Sequence, residues 1–162
     1  MLGNSLHIKN RLKLVKNLPK NSICIFESND QMPTNADGLM PFRQNNDLLY
    51  LTGIDQEETS LVIFPDAKSD EHKEILFIKK TSKEIAVWEG HKLSIKEAQN
   101  ISGIKTVLWN DNYLNTLFTL INQSDCVFLS SNEHPRANVV VESRNKRLEK
   151  ILKNKFSNIK FD

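Results

Sequence analysis

Glycine is scarce in this chain, with five residues in 162. Neither Gly-x-Gly-x-x-Gly nor a P-loop occurs, which argues against the phosphate cradles of nucleotide sites. Cysteine is scarcer still. Cys24 and Cys126 each lie inside an apolar run, so both read as small core hydrophobes, and a disulfide framework is not expected. Cys-x-x-Cys, His-Glu-x-x-His and Gly-x-Ser-x-Gly are all missing. The four histidines, His7, His72, His91 and His134, are dispersed beside loops or charged residues. They read as exposed, solvated side chains, because zinc needs three or four ligands in fixed geometry. No stretch approaches the roughly 18 apolar residues of a membrane span. Residues 1–20 alternate apolar and basic side chains without the apolar core of a secretory signal. These absences predict no membrane partner and a cytoplasmic location.

What is present is a globular balance. Hydrophobic residues make up 39% and charged residues 26%, which permits a sizeable core and excludes a disordered chain. The length suits one domain, 1–162. A net charge of +2 gives no bias toward nucleic acid. Only Arg144, Lys146, Arg147, Lys150, Lys153 and Lys155 form a basic run, read as the solvated face of a helix rather than a phosphate-binding surface.

The pattern along the chain predicts an α/β domain around one mixed sheet flanked by helices. A helix with Leu6, Ile8, Leu12, Leu14, Val15 and Leu18 on one apolar face starts at Asn4 or Ser5 and ends at Pro19. A buried strand follows at 22–26, then a polar loop at 27–40. Residues 48–51 form a short strand or helical turn closed by Gly53. Runs 60–64 and 74–78 resemble a hairpin, and 84–87 reads as a further short strand before a turn at Gly90. Ser94 and Glu97 have the form of a capping box for a helix that stops at Gly103. A strand at 106–109, a helix capped by Asp111 or Asn112, a strand at 126–129 and a helix over about 141–155 complete the series. Between the last two lies a polar loop with Asn132, Glu133, His134, Pro135 and Arg136.

Two segments carry unusual chemistry. In Phe42-Arg43-Gln44-Asn45-Asn46-Asp47 the polar side chains lie directly before an apolar run, so they must be hydrogen-bonded where they are buried. An internal network that holds the loop accounts for them best, with Arg43 on a carboxylate. The alternative is a surface shaped for a substrate or partner. In Val87-Trp88-Glu89-Gly90-His91 the tryptophan sits where a loop tip could present it, and tryptophan is enriched at interface hot spots. Folding back onto its own domain is an equal alternative.

These segments resemble a known family. Pro41-Phe42-Arg43-Gln44-Asn45-Asn46-Asp47-Leu48-Leu49-Tyr50-Leu51-Thr52-Gly53 is similar to the Phe-Arg-Gln-x-x-x-Phe-x-Tyr-x-x-Gly signature of the N-terminal domain of Xaa-Pro aminopeptidases, with Leu48 where the family often has Phe. Trp88-Glu89-Gly90 resembles its Trp-x-Gly turn. The resemblance implies a ribonuclease H-like N-terminal domain that precedes a pita-bread catalytic domain. That second domain holds two divalent metals, often manganese, through two Asp, one His and two Glu; its segments are absent here, so no catalytic or metal residue carries over. It further implies a role in oligomer assembly, with neighbouring subunits and its own catalytic domain as partners and a peptide with proline at the second position as substrate. Trp88 would form an apolar wall near the substrate of the adjacent subunit. Phe42, Arg43, Gln44, Asn45, Asp47, Tyr50, Gly53 and Gly90 would shape the domain. A stand-alone peptide- or protein-binding module and the equivalent domain of a prolidase are the competing readings. A nuclease is a third, but no carboxylate cluster supports it.

Overall fold

A computed structural model describes residues 3–82, 84, 90–131 and 141–162. Its described elements are α1 (Ser5–Val15), β1 (Ser22–Glu27), α2 (Asn46–Thr52), β2 (Ser60–Ile63), β3 (Glu74–Ile78), α3 (Ile95–Ser102), β4 (Thr106–Trp109), α4 (Tyr113–Ile121), β5 (Cys126–Leu129), α5 (Arg144–Lys155) and β6 (Lys160–Phe161), with 3-10 turns at Asp70–His72 and Asn110–Asn112. The strands form one sheet in the order β4-β3-β2-β1-β5-β6. β2 runs antiparallel to β1 and β3, while β1–β5, β3–β4 and β5–β6 are parallel. Five strands therefore run in one direction and only β2 runs in the other.

The near-continuous apolar runs of the central strands reflect burial on both faces. One face packs Ile23, Ile25, Phe77 and Val127 against Leu117 and Leu120 of α4 and Leu148 and Leu152 of α5. The other packs Cys24, Leu61, Ile63 and Leu76 against Leu48 and Leu51 of α2 and Ala98 of α3, with Leu14, Val15 and Leu18 at its margin. Ser94 and Glu97 form the anticipated capping box. The short stretch around 48–51 is a helix, and the last helix begins at Arg144 rather than 141. Asn112 is the N-cap of α4 by position but makes no capping bond. β6, only two residues long, had no periodicity to announce it. Glu84, the one described residue of the anticipated strand at 84–87, is helical.

α1 departs most from its pattern. The residues it buries are Asn10 and Arg11, while Leu6 and Leu12 are exposed. The reason is that α2 and α3 both end beneath it, and the last carbonyls of a helix have no partner within the helix. Arg11, 1% exposed, donates from Nη1 to Leu51 O (2.8 Å) and Ser102 O (3.0 Å), and from Nε to Glu74 (3.1 Å). Asn10 and His7 meet Tyr50 O, each at 3.0 Å, and Asn4 meets Asn100 O at 3.3 Å. The helices come so close that α2 and α3 must stop on glycine. Gly53 and Gly103 both have φ of 72°, and an added Cβ would lie 2.4 Å from His7 Nε2 and 2.7 Å from Ile8 Cδ1 respectively. His7 is thus packed and bonded, not the solvated side chain its sequence setting suggested.

Arg11→Lys keeps the charge but offers one ammonium where the guanidinium serves three acceptors. It is expected to lower unfolding free energy by about 2 kcal/mol. Gly103→Ala should cost about 1–3 kcal/mol through backbone strain. Urea denaturation of each variant checks both values.

Candidate functional site

The signature segment divides into an inward and an outward half. Gln44 is buried and stitches the chain across α2. Its Nε2 donates to Ile54 O (3.1 Å) and Gln56 O (2.8 Å), and its Oε1 accepts from Asn45 N (2.8 Å). Asn45 caps α2, its Oδ1 accepting from Asp47 N and Leu48 N. Such a cap satisfies donors that the first turn leaves free. Asp47 accepts a hydrogen bond from Ser130 Oγ at 3.0 Å, tying α2 to the end of β5. Gly53 supplies the left-handed stop. These residues hold the fold, as the internal-network reading expects. Arg43 and Tyr50 are exposed and Phe42 is half-buried. The expected carboxylate partner of Arg43 is not found among the described residues; the residue's main-chain oxygen, not its guanidinium, is the anchored group, accepting from Asn29 Nδ2 at 2.9 Å.

Two open grooves flank the segment. One, of about 290 Å³, runs between α1 and α2 and includes Lys13, Asn17, Phe26, Asp47 and Tyr50. The other, of about 310 Å³, lies between the loop after β1 and the start of α5 and includes Asp30, Met40, Arg43 and Val141. Gly90 is exposed with φ of 77° and open space around its Cα. Just beyond it the chain is pinned to the segment that precedes β2. Gln56 Oε1 accepts from Leu93 N (2.8 Å), and Lys92 pairs with the buried Glu57. Burial pushes the Glu57 carboxyl up, but the bond from Lys92 and the charges of Lys92 and Lys79 outweigh it, so the group sits below the usual carboxylate range. Trp88 and the loop with Asn132, Glu133 and His134 lie outside the described residues.

Sequence reasoning passed over a second deeply buried charge constellation. Glu27, 1% exposed at the end of β1, accepts from Ser60 Oγ (2.8 Å), Arg144 Nε (2.7 Å) and the Tyr113 hydroxyl. Burial raises the Glu27 carboxyl above its ordinary range, against the lowering effect of Arg144 and the two hydroxyls. Burial and the neighbouring carboxylate likewise push Tyr113 well up. A glutamate closing an apolar strand was the available signal, since a buried carboxylate needs partners. The arrangement uses each donor on the same carboxylate and leaves no approach for a substrate, so its role is to fasten α4 and α5 to β1. The basic run on α5 is spent similarly: Arg147 grips Asp30, Lys150 pairs with Glu142 and Lys153 with Glu149, while Lys155 lies over the Phe118 ring. Cys126 is half-buried beside Asp162 rather than enclosed in the core. Among the described residues, no three His, Cys, Asp or Glu converge as a metal-holding group, and no helix is long and apolar enough to cross a membrane.

The family profile described as aminopeptidase P, N-terminal domain, matches residues 7–129. The chain belongs to that family. The Xaa-Pro aminopeptidase of Escherichia coli is 27% identical over 151 residues, which is 93% of this chain and 33% of the relative. Xaa-Pro aminopeptidase 3 of Dictyostelium discoideum is 30% identical over 94 residues, 58% of this chain and 18% of the relative. Among solved structures, a Bacillus anthracis protein named as an aminopeptidase P matches with a TM-score of 0.87 at 24% identity, covering 99% of this chain and 38% of that one. The E. coli aminopeptidase P matches with a TM-score of 0.72 at 26% identity, covering 99% and 36%. The chain therefore spans about a third of the length of these relatives. The aminopeptidase P N-terminal fold is the mixed sheet described above.

Removing the cation beside Glu27 tests the fastening role. Arg144→Met is expected to cost on the order of 3 kcal/mol near neutral pH, because it leaves a buried carboxylate without its counter-charge. A carboxyl raised in the folded state loses stability as pH climbs from the ordinary value of 4.5 through its folded value. The deficit of Arg144→Met against the parent should therefore shrink as pH falls toward 4.5. Urea titrations at both pH values read the difference.

Proposed function

We infer that this chain acts as the non-catalytic N-terminal domain of a metal-dependent Xaa-Pro aminopeptidase, the enzyme that removes the residue before a proline. The observation that carries the reading is the family match over residues 7–129 together with a span of one third of the E. coli relative. A glutamate-to-alanine variant of that E. coli protein has been solved in complex with substrate. The division of labour follows from this chain's own groups. The buried charged groups among the described residues, Arg11, Glu27 and Glu57, are each committed to holding elements together. The described residues bring no three His, Cys, Asp or Glu together as a metal-holding group, and this reading assigns no step of hydrolysis to them. The metals, in this reading manganese, belong to the part of the enzyme that this chain does not span. There they would polarise the scissile carbonyl and activate water.

The domain's contribution is assembly and the shape of the active-site mouth. In this reading it supports oligomers in the cytoplasm, and Trp88 stands against the substrate in a neighbouring subunit. The chain reaches that loop from a firm base, since Gln56 and Glu57 anchor Leu93 and Lys92 close behind it.

The complete gene product is expected to hydrolyse Xaa-Pro peptides with a divalent metal. Trp88→Ala should raise KM for such a peptide about tenfold. Steady-state kinetics alongside light scattering distinguish the parts of the proposal. Unchanged kinetics and oligomer size would remove Trp88 from it. A gene product without Xaa-Pro hydrolysis would remove the aminopeptidase role and favour a binding module.

A further inference from the structure

α1 and α2 present matching stripes to the groove between them. Asn10, Lys13 and Leu14 stand at i, i+3 and i+4 on α1, and Asp47, Tyr50 and Leu51 repeat that spacing on α2, so each set shares one helix face. Phe26 of β1 lines the same cleft. The walls are fixed to each other. Asn10, 4% exposed, donates from Nδ2 to Tyr50 O at 3.0 Å, and Arg11 takes the next carbonyl, Leu51 O, at 2.8 Å. Asn17 Nδ2 holds Lys13 O at 2.8 Å.

The charges on these walls are unspent. Lys13 and Asp47 are opposite in sign and line one groove, yet they form no ion pair with each other, and Lys13 has none with any described residue. Ser130 occupies Oδ2 of Asp47 at 3.0 Å and leaves Oδ1 without a partner among the described residues. Tyr50, 55% exposed, gives its carbonyl to His7 and Asn10, but its hydroxyl has no partner among the described residues and its ring belongs to neither core cluster. The groove's volume of about 290 Å³ lies at the lower end of small-molecule sites. It therefore offers a cation, an anion and, between Leu14, Phe26 and Leu51, apolar surface.

We propose that this groove binds a free α-amino acid with a large apolar side chain. The ligand's carboxylate meets Lys13, its ammonium meets Asp47, and its side chain lies on Leu14, Phe26 and the Tyr50 ring. The pair of opposite charges selects a zwitterion. An apolar molecule leaves both charges unmatched, and a simple anion or cation leaves one. The interior of a peptide chain brings neutral amides to groups that call for ions. The proposal uses only side chains of this chain and does not depend on the aminopeptidase reading.

The test is calorimetric titration of the complete gene product, with the fold of each variant checked by circular dichroism. The probes are L-phenylalanine, its amide, which lacks the carboxylate, and its N-acetyl derivative, which lacks the ammonium. L-Phenylalanine is expected to bind with Kd on the order of 1 mM, and glycine, which has no side chain to bury, about tenfold more weakly. Each altered ligand should bind about fivefold more weakly than L-phenylalanine, the worth of one exposed ion contact. Lys13→Met should weaken L-phenylalanine by the same factor without weakening the amide. Asp47→Asn, which keeps an acceptor for Ser130, should weaken L-phenylalanine without weakening the N-acetyl derivative. Absence of saturable L-phenylalanine binding overturns the proposal. So does binding that neither substitution changes, which would put the amino acid elsewhere in the gene product. Equal weakening of all three ligands overturns it too, because the substitutions would then act indirectly. If Asp47→Asn does not fold, Lys13→Met measured against the amide decides alone, since Lys13 is exposed.

Discussion

Arg11 is the constraint on which the arrangement of one face of the sheet depends. α2 and α3 both finish at the same place, and each brings unpaired carbonyls and the negative end of its dipole. Two such ends cannot share a dry site unless a cation lies between them. A guanidinium answers the need because it is planar, permanently charged and multiply donating. Its own burial is tolerable only because Leu51 O, Ser102 O and Glu74 take its protons. From this follow the polar underside of α1, the approach of His7 and Ile8 to two glycines, and the position of Glu74 at the start of β3.

The opposite end of the strands is organised by the reverse charge. Glu27 draws together β2 through Ser60, α4 through Tyr113 and α5 through Arg144. A buried carboxylate with a tyrosine and an arginine resembles acid-base machinery when taken alone. Here each oxygen is consumed by structural donors and the group lies under the helices it binds. The exposed apolar side chains lie outside it, among them Met32, Leu39 and Met40 of the loop between β1 and α2. The domain thus keeps its buried ionic groups for cohesion and presents apolar side chains outward.

Much of this was legible in the residues. The central strands announced themselves as apolar runs, Ser94 and Glu97 as a cap, Gly53 and Gly103 as helix stops, and Gln44 and Asn45 as members of an internal network. The failures share one cause. The leucines of α1 suggested an apolar face, but the demand of two helix ends for hydrogen-bond donors outweighed the burial of Leu6 and Leu12, and that demand exists only once α2 and α3 are packed. Glu27 was overlooked because its partners stand 33, 86 and 117 positions away in the chain. The basic run on α5 does lie on an exposed face, with Lys146, Arg147, Lys150, Lys153 and Lys155 in solvent, and only Arg144 departs from it by turning inward to Glu27. Periodicity sees neighbours along the chain and misses charges that meet through the fold. The same limit applies to Arg43, whose expected carboxylate is not supplied by the described residues.

The central claim is that every buried charge among the described residues is structural, and that in the proposed aminopeptidase the chemistry resides outside this chain. The most direct measurement is an Xaa-Pro peptide assay on the 162-residue chain alone, with manganese supplied and folding verified by circular dichroism. The account predicts a folded protein with no turnover above the metal-only control. Metal-dependent turnover by the pure chain, abolished by Glu27→Gln while the fold is kept, would contradict it.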